Sequence, residues 1–385
     1  MAAEARVEKV RTLPPWAQFL AGQTLALLGA LAFAGVVGSL IIVGFDESPL
    51  TVYEAVWTFS TSRLSDFARV LEIATPLIFS GLAVAVAFKA GMFNIGVEGQ
   101  YIVGMAAAAA AATGLGSLPA IILLPAAMLA AVAAAAAWAA VPAVLKVRTG
   151  AHEVVTTIMM NGIAVSFVAW ALINPLRTSE EGLIDLRTDI FPEAALAPRL
   201  ATSLGLGDQI PPSVHLTWLF PIGLVACAAV WFLMFRTRLG YEVRAVGSSS
   251  GAAEAGGIGI GAAQIKIFLV SGALAGFVGL NHILGDKGFL GSNYEAGLGF
   301  AGIAVAFLGR NHPFGIAFAA ILLAMLSRGQ DGIAITTDLP TEILIILQGV
   351  LILSVVIAYE IARRVISRRQ QRVIRAEDPT TEAAL

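Results

Sequence analysis

Residues 73–113 read IATPLIFSGLAVAVAFKAGMFNIGVEGQYIVGMAAAAAAAT, and Lys89 and Glu98 are the only charged side chains among them. Two apolar runs, 73–88 and 97–113, flank a polar, glycine-rich turn. Each run approaches the roughly 20 residues that a helix needs to cross a hydrocarbon core. Neither alternates apolar with polar residues, as the strands of a membrane barrel would over about 10 positions. The stretch therefore reads as two membrane helices joined by a turn that carries Asn94, Glu98 and Gln100 where apolar residues are expected.

The same texture covers the whole chain. Of its 385 residues 58% are hydrophobic and only 13% charged, with a mean hydropathy of +0.83. A water-soluble domain carries roughly 25% charged residues, so the polar surface of a soluble globule is missing. Ten apolar segments can be drawn: 16–45, 73–88, 97–113, 118–145, 154–174, 216–235, 265–284, 297–308, 314–326 and 343–366. The expected fold is an all-α polytopic membrane protein of about ten transmembrane helices. Segment 16–45 is too long for a signal peptide and reads as a retained helix. The single cysteine, Cys227, lies in an apolar run, which excludes an internal disulfide and reads as a small buried hydrophobe.

The scarce charges orient the helices, because Lys and Arg collect on the cytoplasmic side of a membrane protein. Threading the ten segments with the N-terminus inside places seventeen basic residues in the cytoplasm, among them Lys89, Lys146, Arg244, Arg310 and the run Arg363 to Arg375. Only Arg177, Arg187, Arg199, Lys287 and Arg328 fall outside, with Arg63 and Arg69 unassigned. Both termini are thus expected inside.

The resulting layout is a cytoplasmic segment 1–15, a transmembrane domain 16–366 and a basic, then acidic, tail 367–385. Within the domain, an acidic, proline-rich loop 175–215 faces outside and a basic loop 236–264 faces inside. The net charge of -2 averages over these two unlike sides. Segments 73–88 and 297–308 are short for a crossing, as discontinuous helices are, and such breaks are tolerated where backbone lines a cavity.

Four constellations stand out. Asn94, Glu98 and Gln100, among glycines, line a pathway, lock a broken helix or simply lie in a turn at the membrane surface; a polar group without a partner in apolar surroundings costs several kcal/mol. In HEVVTTIMMN (152–161), Asn161 lies about two turns into its segment, suited equally to a solute and to an interhelical hydrogen bond. Thr156 stands where a zinc protease motif needs its second His. The G-x-G-x-x-G of residues 297–302 has no soluble strand before it and is a helix-packing motif, as are Gly272 and Gly276. In the inside loop, Ser248, Ser249 and Ser250 offer helix caps, and 251–255 can form a short helix ended by Gly256 and Gly257. No phosphate-binding G-x-x-x-x-G-K-[ST] occurs, and no catalytic pair is evident.

FNIGVEGQ (93–100), HEVVTTIMMN (152–161) and GFAGIAVAFLGRNHPFGI (299–316) resemble the permease subunits of bacterial ATP-binding cassette importers of the branched-chain amino acid and ribose group. Within it they are most similar to nucleoside (guanosine-type) permeases. GYEVRAVG (240–247), followed by Ala252, Ala253 and Gly257, is similar to that group's coupling-helix region. Ser249 and Ser250 stand where relatives commonly have Asn-Pro.

The resemblance implies a type II importer permease with broken helices in the bacterial cytoplasmic membrane. It implies a small polar solute, most of all a nucleoside, moved by alternating access. The implied partners are an ATPase that binds ATP and Mg, a second permease subunit and an extracytoplasmic solute-binding lipoprotein, with lipid around them. No cofactor on this chain and no nucleic acid polymer are implied. Asn94, Glu98, Asn161 and Phe300 are the expected substrate path, with amides for a base or ribose and an aromatic for stacking. Gly240, Glu242, Arg244, Gly247, Ala252, Ala253 and Gly257 are expected to couple to the ATPase. The same architecture importing a simple sugar, and an ion-coupled secondary transporter with Glu98 as its acid, are the alternatives.

Overall fold

The computed structural model describes residues 29, 31–180, 185–337, 340, 342–343, 345–355, 357–358, 361 and 364. The segment 1–15, the start of the first apolar segment and the tail 367–385 lie outside the described residues. Two compact units emerge: 51–341, and residues 1–50 together with 342–385. In the second, smaller unit the described helices are α1 (Leu31–Val43) and α14 (Ile345–Val355), both short and apolar.

The larger unit holds α2 (Pro49–Thr61, all but its first two residues), α3 (Leu64–Phe88), α4 (Val97–Gly114), α5 (Ala120–Thr149), α6 (Glu153–Ile173), a one-turn α7 (Leu200–Ser203) and α8 (Leu219–Arg236). It continues with α9 (Arg238–Ser248), α10 (Ser250–Ala255), α11 (Ile260–Ala275), a π-helix (Asn281–Lys287), α12 (Leu298–Leu308) and α13 (Pro313–Thr336). Among the described residues there is no β-strand; two isolated bridges, Arg187 with Gly291 and Arg199 with Thr217, tie down the loop after α6. Five helices, α3, α5, α6, α8 and α13, are long and apolar enough to cross a membrane.

Several expected boundaries shift for identifiable reasons. The segment drawn as 73–88 is the end of a 25-residue helix, not a short one. Its polar first turns hid it: Arg69 pairs with Glu72 at 3.3 Å and Asp66 with Arg328 of α13 at 3.6 Å, so these charges are accommodated within the helix. The segment 265–284 is broken after Ala275, with the π-helix beyond the break. The short segment 297–308 is short in the structure too, at 11 residues. Helix α2 falls between two drawn segments, and it packs on α13 where Gly329 and Gly332 receive Val56 and Phe59.

Helix α3 is the axis of this unit: from Thr75 to Ala87 hardly a side chain reaches solvent. It is enclosed by α8, α11, α12 and α13. Beside it, α5 buries one residue in four, Leu123, Ala127, Ala131, Ala135, Ala139 and Ala143, which is a single stripe along a helix. That stripe faces α4 and α11. Its small side chains let backbones approach, which is how helices associate in lipid, where burial of apolar surface gives little drive. A Cβ added to Gly272 would lie 2.5 Å from the Ala139 methyl and 2.7 Å from the Ala135 carbonyl oxygen, and one added to Gly276 would lie 2.7 Å from Val132 Cα. Gly272→Leu should therefore lower stability by about 1–3 kcal/mol through overpacking, read as a drop in the unfolding temperature of the detergent-solubilised protein, while Gly114→Leu, where nothing lies within 4 Å of an added Cβ, should leave it unchanged.

Candidate functional site

Helix α3 ends in a turn, with Gly91 in the left-handed region at φ 69°, that leads into the buried residues around Asn94. Asn94 uses its whole amide. Its Oδ1 accepts from the Gly96 N–H at 3.0 Å and from Gln100 Nε2 at 3.0 Å. Its Nδ2 donates to Gln100 Oε1 at 3.0 Å and to Ser271 Oγ at 2.8 Å, and Ser271 in turn donates to the Ala83 carbonyl. A reciprocal amide pair thus joins the start of α4 to α11 and α3.

Asn161 makes the corresponding link to α6. Its Oδ1 accepts from the Gly99 N–H at 2.9 Å and its Nδ2 donates to the Ile95 carbonyl at 3.0 Å. A Cβ on Gly99 would lie 2.9 Å from Asn161 Cα, so this approach needs glycine.

Glu98 holds the broken element. Its Oε1 accepts from the Gly297 N–H at 2.7 Å and its Oε2 from the Gly299 N–H at 2.8 Å, so one carboxylate spans the first turn of α12. The Tyr101 hydroxyl lies 3.1 Å from Glu98 Oε1 and 2.8 Å from the Glu295 carbonyl, its one hydrogen serving either. On the opposite side Ser80 Oγ donates to the Leu298 carbonyl at 2.9 Å, and Gly302 sits directly on Ser80. Ser80 is eight residues from the end of α3, about 12 Å at 1.5 Å per residue, so α12 begins well inside the depth spanned by α3.

The structure thus brings Asn94, Glu98 and Asn161 together, with every one of their polar groups engaged by protein. Phe300 is apart: its side chain follows the clamp on α12 and is half-exposed. Tyr101, Ser271 and Ser80 escaped the sequence reading. Their only signal was an isolated hydroxyl within an apolar run.

Beside Lys89, at the C-terminal end of α3, lie the helices of the loop 236–264. Thr237 caps α9, accepting from the Gly240 N–H, and Ser249 caps α10, accepting from the Ala252 N–H at 3.3 Å. Gly256 follows α10 and Gly257 adopts φ 77°, as the sequence suggested for a short helix there; the longer α9 was not foreseen. Gly240 packs on the Leu233 and Met234 carbonyls, and Gly247 on the Lys89 carbonyl, each too closely for a Cβ. Arg244 lies over the Phe235 ring at 5.3 Å, Glu242 accepts from Arg238 at 2.9 Å, and Ala253 is buried with Val246 and Ala263. Ala252 is exposed. Tyr241, Glu242, Gly257 and Lys266 border an open polar groove of about 330 Å³.

Removing the Glu98 carboxylate strands two backbone N–H groups, each costing about 1–3 kcal/mol when buried and unpaired. Glu98→Ala should lower the unfolding temperature in detergent far more than Glu98→Gln, which keeps one acceptor oxygen. Equal effects would show that the carboxylate is not the anchor of α12.

Comparison with known proteins gives the family. The model of the branched-chain amino acid transport system permease component matches residues 67–356. The guanosine ABC transporter permease protein NupP of Bacillus subtilis is 35% identical over 84% of this chain and 90% of its own length. The glucose ABC transporter permease protein TsgB13 of Haloferax volcanii is 32% identical over 80% and 78% respectively. The nucleoside ABC transporter permease protein NupB of Lactococcus lactis is 29% identical over 74% and 77%. No solved structure gives a significant match. The chain is a multi-pass membrane protein that belongs to the branched-chain amino acid transport system permease family.

Proposed function

We propose that the chain is the permease subunit of an ATP-driven importer for nucleosides. The observation that carries this reading is the match to the permease family over residues 67–356, together with relatives of which two of the three above are named for guanosine or nucleosides. The Haloferax relative, named for glucose, favours a simple sugar as the second reading. Ion coupling is disfavoured by geometry, since both oxygens of Glu98, the acid such a mechanism would need, accept backbone N–H bonds.

In this reading both termini face the cytoplasm, with about ten crossings and the layout 1–15, 16–366 and 367–385. The ends of α3 support the polarity. Asp66 meets Arg328 at one end, and Lys89 sits with the Gly247 backbone at the other, matching the expected outside and inside residues. The loop 175–215 would meet the solute-binding lipoprotein. There Asp189 accepts from the Ser179 N–H at 2.7 Å and from Thr178 Oγ1 at 2.8 Å, bonds that hold its carboxyl below the usual carboxylate range.

Asn94, Glu98 and Asn161 would frame the path by holding the broken helices, and Phe300 would face the solute. Stacking of a base on an aromatic ring contributes about 1–3 kcal/mol. Phe300→Ala should therefore cut guanosine uptake by the reconstituted transporter about tenfold or more, with ATPase activity retained; unchanged uptake would remove Phe300 from recognition.

Gly240, Glu242, Arg244, Gly247, Ala252, Ala253 and Gly257 would form the coupling surface toward an ATPase partner that binds ATP and Mg. Gly240, Gly247 and Ala253 seat the two helices, and Glu242, Ala252 and Gly257 border the surface. Arg244→Glu should leave the protein inserted and the complex hydrolysing ATP, but without matching uptake. Normal coupling in that variant would count against the assignment.

A further inference from the structure

The backbone between the π-helix and α12 runs inward from the loop 175–215. Its outer part is fixed where the Ser292 N–H donates to the Leu186 carbonyl of that loop at 2.9 Å, and its inner end where Ser80 Oγ donates to the Leu298 carbonyl at 2.9 Å. Ser80 lies sixteen residues into α3, about 24 Å from the end assigned to the outside at 1.5 Å per residue. Glu295, three residues before Leu298, is at most about 11 Å from it along the chain, and its carboxylate is close enough to that of Glu72 on α3 for the two to repel. Residues 292–297 thus descend, without helix, into the depth that α3 spans.

The descent is polar and open. Ser292, Asn293 and Glu295 are exposed, and Phe300, in the first turn of α12, is half-exposed. What holds the stretch is its backbone: the Tyr101 hydroxyl meets the Glu295 carbonyl at 2.8 Å, and Glu98 accepts from the Gly297 and Gly299 N–H groups. The side chains of Glu295 and Phe300 are therefore displayed from a clamped backbone. Non-helical backbone at membrane depth persists only where it is buried in protein or lines a water-filled cavity, and a carboxylate is costly against lipid. An exposed carboxylate on such a segment faces water.

We propose that Glu295 lines a water-filled vestibule open to the outside and accepts the adjacent hydroxyls of the solute's sugar as it passes toward Phe300. The inference rests on the import reading above and deepens it. The amides of Asn94 and Asn161 and the carboxylate of Glu98 are committed to protein partners, so recognition falls to groups beyond them. An ionised carboxylate only accepts, through two oxygens side by side, which suits two donors on neighbouring carbons. Its charge makes those bonds stronger than neutral ones. A ribose carries such a pair at its 2′ and 3′ positions and a hexose carries several, so the group serves either solute considered above.

Two measurements on the complete importer test this. Glu295→Cys adds a thiol to a chain whose single cysteine, Cys227, is buried. In right-side-out vesicles a membrane-impermeant sulfonated methanethiosulfonate should modify it, and should leave Leu129→Cys, exposed on the membrane-spanning α5, unmodified. No reaction at position 295, or reaction equal to that at 129, overturns the vestibule. In proteoliposomes, initial uptake rates of guanosine and 2′-deoxyguanosine are compared with the lipoprotein saturated by each, so that its own preference drops out. The wild type should favour guanosine about tenfold or more, the value of one hydrogen bond to a charged group. Glu295→Ala should bring the two rates together, and Glu295→Asp should keep a preference. Each ratio is taken within one preparation, so loss of folded protein cancels. A wild type without the preference, or an unchanged preference in Glu295→Ala, overturns the role of Glu295. Should the wild type import glucose and not guanosine, the nucleoside reading fails, and Glu295 stands or falls on the same ratio for glucose and 2-deoxyglucose.

Discussion

The bond on which this architecture depends is the one between the Glu98 carboxylate and the backbone N–H groups of Gly297 and Gly299. A helix leaves its first N–H groups without intrahelical partners. Within a membrane no bulk water is there to satisfy them, so irregular backbone persists only where protein or a water-filled cavity supplies partners. Helix α12 begins inside the depth of α3, and its start is preceded by non-helical backbone. A carboxylate contributed by another helix meets the need twice over. Because Glu98 itself sits in the first turn of α4, the starts of α4 and α12 are tied directly to each other.

Around that bond the remaining polar groups act in the same manner. Asn94, Gln100 and Ser271 attach the start of α4 to α11 and α3, and Asn161 attaches it to α6. The apolar contribution is one of closeness. Ala and Gly dominate the contacts of α5 with α4 and α11, where the backbone of Gly276 approaches Val132. The two kinds of interaction belong together: small residues bring backbones near enough for short side chains such as Asn and Ser to bridge them.

The basic side of the molecule follows a different rule. There α9 and α10 are held by glycine contacts on carbonyl groups and by serine and threonine caps, which are local and compatible with water. Lys89 lies at the junction, its carbonyl against Gly247 of α9 and its own helix running back to Ser80 and the start of α12.

The sequence by itself determined the fold class, through long apolar segments without strand alternation. It also marked Asn94, Glu98 and Asn161, because polar groups in apolar runs stand out, and the short helix after Ser249, because caps and stops are local signals. Only the tertiary structure decided what those polar groups do. An amide in an apolar run looks the same whether it meets a solute or a backbone two helices away, and the partners of Glu98 lie some two hundred positions further on. Continuity of α3 through its polar first turns, and the break after Ala275, were likewise hidden. The first draws on Arg328, which reaches Asp66 from a distant segment, and hydropathy along one segment carries no record of what is packed against it.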